Sequence, residues 1–466
     1  MSLRAIILCG AGALLAGCSL TPEYQRPETG LAPHWRSQPA RSQPASAVNA
    51  DTQWRKVFTD PELQRLIELA LDHNKELKTA VARIDASRAR LGLSQAEQLP
   101  GLNIGGSLQR SRTSAADSPF GQTSTAQQGQ LGLMLTSFEL DLWGRLRAQT
   151  DAARQQWLAS GEDALSVQLS LVGEVASSYY EMRTYQQTED VISRLSQLSN
   201  EARRLVRQRY EQGLASELDL QQAQTLTHQL GVDAAENHRS LAVAMNTLQL
   251  LVGTALDRPR LLATAAAEQW FPASVNPGLP SELLVRRPDI RASEARLKAA
   301  NADVGAARAA FLPSLSLTGS MGGSSPQLSQ LFSGAARSWT LAPQLAIPLL
   351  DVMGHRSRLD ESRAQFKVLA AEYQGAVEQA FREVAEALDA GEPIDRKVRS
   401  QQHLVAAETR RVELATVLYR EGMTSFLDVL DAQRSLSTAR QTLLRFQLMQ
   451  AHNRVSLFKS IGGGWS

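Results

Sequence analysis

The stretch Tyr419-Arg-Glu-Gly-Met-Thr-Ser-Phe-Leu-Asp-Val-Leu-Asp-Ala-Gln433 decides the fold, because an earlier stretch of the chain repeats it. That earlier copy is Tyr210-Glu-Gln-Gly-Leu-Ala-Ser-Glu-Leu-Asp-Leu-Gln-Gln-Ala-Gln224, at an offset of 209 residues. The two copies agree at Tyr, Gly, Ser, Leu, Asp, Ala and Gln. An internal duplication of this length indicates a chain built from two similar halves.

The residues around each copy predict a helical hairpin. Apolar residues recur at spacings of three and four on both sides of the turn, which is typical of a coiled-coil seam. Gly213 and Gly422 fit the left-handed residue that ends a helix, where a Cβ is penalised. Ser216 and Ser425 each precede an Asp by three residues and fit the N-cap of the next helix. The sequence therefore predicts two long antiparallel helical hairpins with matching tips.

The N-terminus predicts export. Residues 1–17 place Arg4 before an apolar run, which is the pattern of a signal peptide. The run Leu15-Ala16-Gly17-Cys18 resembles a bacterial lipobox, in which Cys18 becomes the lipidated first residue of the mature chain. The alternative is an ordinary signal peptide with a chance cysteine. Cys9, the other cysteine, is lost with the signal, so no intramolecular disulfide can form in the mature chain.

Composition and motifs argue against several classes of protein. The net charge of +2 argues against a nucleic-acid partner. The seven histidines include no pair at i, i+4 spacing, and the mature chain keeps one cysteine, so a zinc site is not expected. No P-loop and no glycine-rich dinucleotide turn occurs, so the chain is predicted to be no enzyme, to carry no cofactor beyond the lipid on Cys18, and to take its energy from a partner.

Two segments predict strands. After Pro100 and again after Pro313, leucines and isoleucines alternate with small or polar residues, as in Leu102 and Ile104. Each half thus contributes a hairpin of two strands of about ten residues, long enough to cross a bilayer when tilted. Four strands cannot close a barrel, and an open edge cannot lie in lipid. We therefore expect a homo-oligomer.

Long proline-free helices are predicted between the strands and the tips. Residues 148–210 form one such run, about 95 Å long at about 1.5 Å per residue. The counterpart in the second half, about 356–421, contains Gly391-Glu392-Pro393, where a kink or a break is expected.

Several segments resemble the outer membrane factor family, in its TolC-like, OprM/NodT-type lipoprotein branch. The matching segments are Pro22–Pro27, Glu139–Arg145, Leu279–Ile290, Ala299–Gly305, Phe311–Leu315, the two tips and Gly462–Trp465. The resemblance implies an α+β membrane protein: a trimer with a twelve-stranded transmembrane β-barrel, four strands per chain, continued by a periplasmic α-helical barrel with an equatorial domain. It also implies the exit duct of a tripartite efflux pump in the bacterial outer membrane. A periplasmic adaptor and an inner-membrane transporter, often of the resistance-nodulation-division type, would complete the pump.

Repeats and resemblance together divide the chain into six parts. These are the signal peptide 1–17, the lipidated N-terminal tether 18–50, the first repeat 51–255, the equatorial connector 256–282, the second repeat 283–461 and the C-terminal tail 462–466. The strand hairpins are expected at about 102–140 and 314–349, and the tips at about 210–219 and 419–431.

The resemblance also implies two sites. The periplasmic gate is expected at Leu427, Asp428 and Asp431, and adaptor docking at the tip residues Gly213, Ser216, Gly422 and Ser425. A ring of carboxylates would attract cations, and like charges would raise some of the pKa values unless Arg434 pairs with them. The alternatives are that Asp428 only caps its helix, that Asp431 is merely solvated, and that Gly and Ser only make the turns.

Three functions are compatible with the sequence. The first is a passive exit duct for drugs and other small toxic compounds. The second is the same duct serving heavy-metal efflux or type I protein secretion. The third is a structural lipoprotein with coiled-coil arms, but two strand hairpins argue against it because such an arm does not need them.

Overall fold

The computed structural model describes residues 20–30, 53–263 and 282–463. The predicted signal peptide and Cys18 lie outside these described residues, as do residues 31–50 of the tether and 264–281 of the connector. The helices are α1 (Trp54–Val57), α2 (Pro61–His73), α3 (Lys75–Ala96), α4 (Arg145–Glu211), α5 (Glu217–Val252), α6 (Arg258–Ala263), α7 (Leu283–Arg286), α8 (Pro288–Ala309), α9 (Val352–Arg420) and α10 (Phe426–Ser460). The strands are β1 (Leu102–Thr113), β2 (Ser124–Leu140), β3 (Ser314–Ser325) and β4 (Arg337–Ala346).

The chain divides into two compact units. One unit contains the sheet, within 83–161 and 292–374, together with residues 20–28. The other contains both helical tips, within 162–291 and 375–466, and the short helices α1 and α2.

The long helices α4 and α9 have 67 and 69 residues. At about 1.5 Å per residue each is about 100 Å long. The predicted uninterrupted helix over 148–210 is confirmed by α4. None of the described helices combines the length and the apolar character needed to cross a membrane.

A kink or a break was predicted at Gly391-Glu392-Pro393, and the break is wrong, because α9 continues through Pro393. Side chains of α10 stabilise the helix on both sides of the proline. Asn453 donates to the carbonyl oxygen of Ala387 at 2.9 Å, and Gln450 donates to Asp395 at 2.6 Å. These tertiary contacts offset the local cost of a proline inside a helix.

The sheet has the order β1-β2-β3-β4, with every neighbouring pair antiparallel. Residues directly opposite each other lie on the same face, so the registers separate two faces. One face carries Leu102, Ile104, Leu108, Leu131, Leu133, Leu135, Phe138, Leu140, Leu315, Leu317, Met321, Trp339, Leu341 and Leu345. The other face is almost entirely polar or small: Asn103, Ser107, Gln109, Gln128, Gln130, Ser316, Thr318, Ser320, Ser324, Ser338, Thr340 and Gln344, with Met134 as an exception.

A bulge in β2 preserves the apolar face. The register with β3 shifts between Leu135 and Phe138, and Ser137 has a φ of 39°. A bulge inserts an extra residue, so side chains three apart in sequence can project from the same face. Leu135 and Phe138 therefore both belong to the apolar face.

Glycines let β2 and β3 approach closely where the two halves of the chain meet. A Cβ added to Gly132 would lie 2.5 Å from the carbonyl oxygen of Met321. A Cβ added to Gly322, directly opposite, would lie 2.2 Å from the carbonyl oxygen of Leu131. Both positions therefore require glycine.

The described part of the N-terminal segment is docked as a strap. Residues 20–30 contain no helix or strand, as expected of a tether, but they bind α8. Arg26 makes a two-pronged contact with Glu294, at 3.1 Å from Nε and 2.9 Å from Nη2. Asn301 donates to the carbonyl oxygen of Pro22 at 2.8 Å. This part of the chain therefore has no regular secondary structure, but hydrogen bonds hold it against α8.

A buried arginine joins three helices in the other unit. Arg287 is 7% exposed and precedes α8. Its guanidinium donates to Asp289 at 2.6 Å, to Glu383 of α9 at 2.8 Å and to the carbonyl oxygen of Ser460 of α10 at 2.9 Å. This fork holds the C-terminus of α10 beside the start of α8.

Candidate functional site at the paired helical tips

The first tip is the turn between α4 and α5. Gly213 has a φ of 69°, as the sequence predicts. The amides of Gly213 and Leu214 donate to the carbonyl oxygens of Tyr210 and Arg209, at 2.9 and 2.8 Å, which satisfies the end of the helix. Nothing lies within 4 Å of a Cβ added to Gly213, so its positive φ rather than crowding requires glycine.

The second tip, between α9 and α10, repeats this geometry. Gly422 has a φ of 72°, and the amide of Met423 donates to the carbonyl oxygen of Leu418 at 2.8 Å. A Cβ added to Gly422 also meets nothing within 4 Å. The duplicated sequence therefore makes the same turn twice.

The predicted N-caps are confirmed at both tips. Ser216 and Asp219 form a reciprocal capping box at the start of α5, and Ser425 and Asp428 form another at the start of α10. Hydrogen bonds from the hydroxyl and amide of Ser216 hold the pKa of Asp219 below its usual range. Those from Thr424 and Ser425 do the same for the pKa of Asp428. The rise expected from like charges concerns carboxylates of neighbouring copies, and it stays a prediction.

The two tips contact each other within the chain. Arg209 Nη1 at the end of α4 donates to the hydroxyl of Tyr419 at the end of α9, at 2.7 Å. Phe426 of α10 packs against the cluster of Val206, Leu220 and Ala223 from the first hairpin. A hydrogen bond and an apolar contact thus join the two hairpins at their tips.

Asp431 is paired with two arginines. Arg411 of α9 donates to its Oδ2 at 2.6 Å, and Arg434 donates to its Oδ1 at 3.2 Å. Arg434 is the residue named in the sequence analysis as the cation that could pair with these carboxylates. Arg411 was missed, although it could have been found: it lies nine residues before the end of α9 and Asp431 lies five residues after the start of α10, so an antiparallel hairpin brings the long arginine side chain within reach of the carboxylate. The Asp431 side chain therefore connects α9 to α10 within the second hairpin.

A groove of about 400 Å³ lies between α5 and α10 near the tips. Its lining residues are Gln222, Thr225, Leu226, Gln229, Leu427, Leu430, Asp431 and Arg434. Leu427 is half exposed and Leu430 is buried. The structure therefore brings two of the predicted gate residues, Leu427 and Asp431, into one groove, while the carboxylate of Asp428 is occupied by the cap.

Exposed apolar side chains surround the tip glycines. Leu214 and Leu218 are 65% and 66% exposed at the first tip, and Met423 is 75% exposed at the second. Exposed apolar side chains that lie close together mark protein-binding surfaces more often than single exposed apolar side chains do. No cluster of three or more metal-ligating side chains occurs within 20–30, 53–263 and 282–463.

Comparisons with known proteins identify the family. The profile described as "Outer membrane efflux protein" matches residues 66–254 and 279–463. The antibiotic efflux pump outer membrane protein ArpC and the toluene efflux pump outer membrane protein TtgC, both from Pseudomonas putida, are each 38% identical over 456 residues, covering 97% of this chain and 94% of theirs. The open-state crystal structure of the MtrE outer membrane channel of Neisseria gonorrhoeae has a TM-score of 0.86 and 32% identity, covering 96% of this chain and 98% of that one. The chain therefore belongs to the outer membrane efflux protein family.

Proposed function

We propose that this chain is the outer membrane channel subunit of a tripartite efflux pump and a passive exit duct for drugs and other toxic organic compounds. It works as a homotrimer whose chains together form a twelve-stranded β-barrel in the outer membrane and an α-helical barrel in the periplasm. The names of its relatives, which concern antibiotics and toluene, support this class of substrate. A lipid on Cys18 adds an anchor.

The two-faced sheet is the observation that carries the proposal. Except at its loop end, one face is apolar across all four strands, and the other is polar, which is the pattern of a strand between lipid and water. On β2 the apolar side chains extend from Leu131 to Leu140. Tilted by about 45°, these roughly ten residues cover about 23 Å, close to the apolar band of about 25 Å in outer-membrane barrels.

The sheet edges support assembly from several copies. Within the sheet, β1 and β4 each pair on one side only. Unpaired backbone groups cannot remain in hydrocarbon, so the edge of one chain must pair with the edge of the next. Three copies would place twelve strands in one closed sheet.

Lysine substitutions on the two faces test the membrane assignment. We expect Leu133→Lys, on the apolar face, to impair membrane insertion, because lysine at the bilayer midplane costs about 2–4 kcal/mol. Gln130→Lys, on the polar face of the same strand, should insert normally and alter conductance. Both are measured as trimer yield in the outer membrane and as single-channel conductance in planar bilayers. Equal yields of the two variants would contradict the assignment.

Deletion of the gene tests the substrate class. The deletion strain should lose tolerance to antibiotics and to toluene, and a plasmid copy should restore it. A strain that becomes sensitive only to metal salts, or that only fails to secrete a protein, would show that the duct serves a different substrate.

We place the docking site of a periplasmic adaptor at the two tips, with an inner-membrane transporter of the resistance-nodulation-division type behind it. The exposed apolar residues Leu214, Leu218 and Met423 support this. The presence of a glycine at each tip is not evidence for docking, because the positive φ angles already require glycine there.

Met423→Glu should weaken crosslinking to the adaptor. Met449→Glu, at an exposed methionine within α10, should not. Equal crosslinking would exclude docking at this tip.

A further inference from the structure

Two arginines project from the sheet beside the last apolar residue of β1. Arg110 and Arg112 follow Leu108 at intervals of two, and the β1–β2 register is continuous from Leu102 to Thr113. Alternate residues of a strand share a face, so both arginines belong to the face that carries Leu102, Ile104 and Leu108. They lie at the end of the sheet that carries the hairpin loops, away from the helices.

These positive charges are not compensated within the described residues. Arg110 and Arg112 are exposed, and no described side chain bonds to either. The residues opposite them on β2, Gln127 and Thr125, are uncharged. Asp117 is the one acidic residue of loop 114–123, and it accepts a hydrogen bond from the hydroxyl of Ser114 at 2.8 Å.

A third arginine lies on the same face of the sheet. Arg337 begins β4 opposite Gly323, which is opposite Leu131 of the apolar face. It is exposed and likewise lacks a partner among the described residues. The loop 326–336 beside it contains no acidic residue. The loop end of the apolar face is therefore basic.

The surface just below the arginine pair is apolar and continuous. Leu108 and Leu328 are each 56% exposed. Leu328, from the loop between β3 and β4, covers Gly129, which is opposite Leu108. A Cβ added to Gly129 would lie 3.3 Å from Leu328 and 3.7 Å from Leu108. Both leucines thus border one patch beneath Arg110.

The spacing matches the boundary between hydrocarbon and headgroups. Arg110 follows Leu108 by two residues, or about 6.8 Å along a strand, and a tilt of about 45° reduces this to about 5 Å of depth. With Leu108 in the hydrocarbon, the two guanidinium groups reach the headgroup layer. Arginine is well suited to bind phosphate there, because its planar guanidinium group can donate two parallel hydrogen bonds.

We propose that Arg110 and Arg112 bind the phosphate group of a membrane lipid in the leaflet on the loop side, with Arg337 extending the basic rim and the acyl chains of the lipid lying over Leu108 and Leu328. This rests on the proposed function, in which the sheet spans the outer membrane. The apolar patch beneath the arginines favours a lipid over a free phosphate ion.

The experiment compares lipids that differ only in phosphate. Purified trimers in detergent are titrated with diphosphoryl lipid A, with its dephosphorylated form and with inorganic phosphate, and binding is measured by native mass spectrometry. We expect wild type to prefer the phosphorylated lipid and Arg110→Gln/Arg112→Gln to bind it about tenfold more weakly, because the variant lacks the charged donors to the phosphate group. The dephosphorylated lipid should bind both proteins equally.

A matched control removes the same charge elsewhere. Arg88 and Arg90 of α3 are also two apart, exposed and without a bonded partner among the described residues, so Arg88→Gln/Arg90→Gln should bind lipid like wild type. The proposal is overturned if the sheet variant binds like wild type, if wild type does not distinguish the two lipids, or if inorganic phosphate competes fully with the lipid.

Conductance separates this inference from the proposed function. The same preparations are reconstituted in planar bilayers. Channels that conduct without phosphate-dependent lipid binding would refute the lipid site alone, whereas wild-type protein that never inserts would refute the membrane assignment on which it rests.

Discussion

The interactions expected for the Asp431 carboxylate from the sequence differ from those in the structure. As a member of a carboxylate ring it would repel its copies and attract cations. In the structure its two oxygens accept from Arg411 and Arg434. Removing this carboxylate therefore takes a negative charge out of the groove and leaves Arg434 there without its partner, whereas Arg411 keeps its contact with Glu408.

We predict that both groove residues restrict the periplasmic opening. Leu427→Ala should increase single-channel conductance because it removes apolar bulk. Asp431→Ala should increase conductance and weaken cation selectivity, because it breaks one link between α9 and α10 near the tip and leaves Arg434 unpaired in the groove. Gln222→Ala, at the matching position of the first repeat, is the control and should change both quantities less. If both variants conduct like wild type and remain trimeric, the constriction lies elsewhere.

The cap at Asp428 predicts a pH dependence of the second tip. Its folded-state pKa is lowered by hydrogen bonds from Thr424 and Ser425, so its contribution to stability is present above the ordinary carboxyl pKa of about 3.9 and is lost as the pH falls through the lowered value. Amide hydrogen exchange at the start of α10 should therefore accelerate at low pH, after correction for intrinsic rates. Asp428→Asn should show less of this change than Asp431→Asn; an identical response in both would contradict the prediction.

At the scale of elements, α9 shows that contacts with a neighbouring helix can outweigh the helix-breaking effect of a proline. Proline inside a helix removes a hydrogen bond and costs about 3 kcal/mol, which is why a break was predicted. The donors Asn453 and Gln450 of α10 lie on either side of that position. Buried Ile394 and Val398 add apolar contacts on the same stretch. The helix remains continuous because its partner stabilises it.

A double-mutant cycle tests this explanation. Pro393→Ala should raise the free energy of unfolding by up to about 3 kcal/mol, and Asn453→Leu should lower it by about 1 kcal/mol. We expect Asn453→Leu to cost less in the Pro393→Ala background, because an intact helix needs less support. Chemical denaturation in detergent measures each value, and strictly additive effects would refute the coupling.

At the scale of the whole molecule, the N-terminal strap connects the predicted anchor to the unit that contains the sheet. Arg26 and Glu294 are 268 residues apart in sequence and form a two-pronged ion pair. The apolar face of the sheet extends across all four strands, so the membrane attachment that it would supply does not depend on a lipid at Cys18.

We predict that Cys18→Ala gives an unacylated protein that still assembles into trimers. The apolar face is unchanged by this substitution, so insertion should persist with a modest loss of yield. Mass spectrometry of the mature N-terminus measures acylation, and crosslinking measures assembly. An unmodified N-terminus on wild-type protein would refute the lipid anchor, and loss of trimers in the variant would show that the anchor rather than the sheet drives assembly.

The sequence by itself determined the features that depend on neighbouring residues. The glycine turns, the serine caps, the length of α4 and the presence of two strand hairpins follow from φ preferences, capping and hydrophobic periodicity, which act over a few residues. The resemblance located Leu427 and Asp431, which the structure brings into one groove with Gln222. Their role as a gate stays a prediction.

Only the tertiary structure decided the features that depend on distant residues. The continuity of α9, the pairing of Asp431 with Arg411, the Arg287 fork, the strap on α8 and the order of the strands each depend on contacts made across the fold. The buried hydrogen bonds among them are worth about 1–3 kcal/mol each, which is comparable to local conformational preferences. Local sequence rules cannot predict them, because the energy of a contact depends on which distant groups the packed chain brings within a few ångströms.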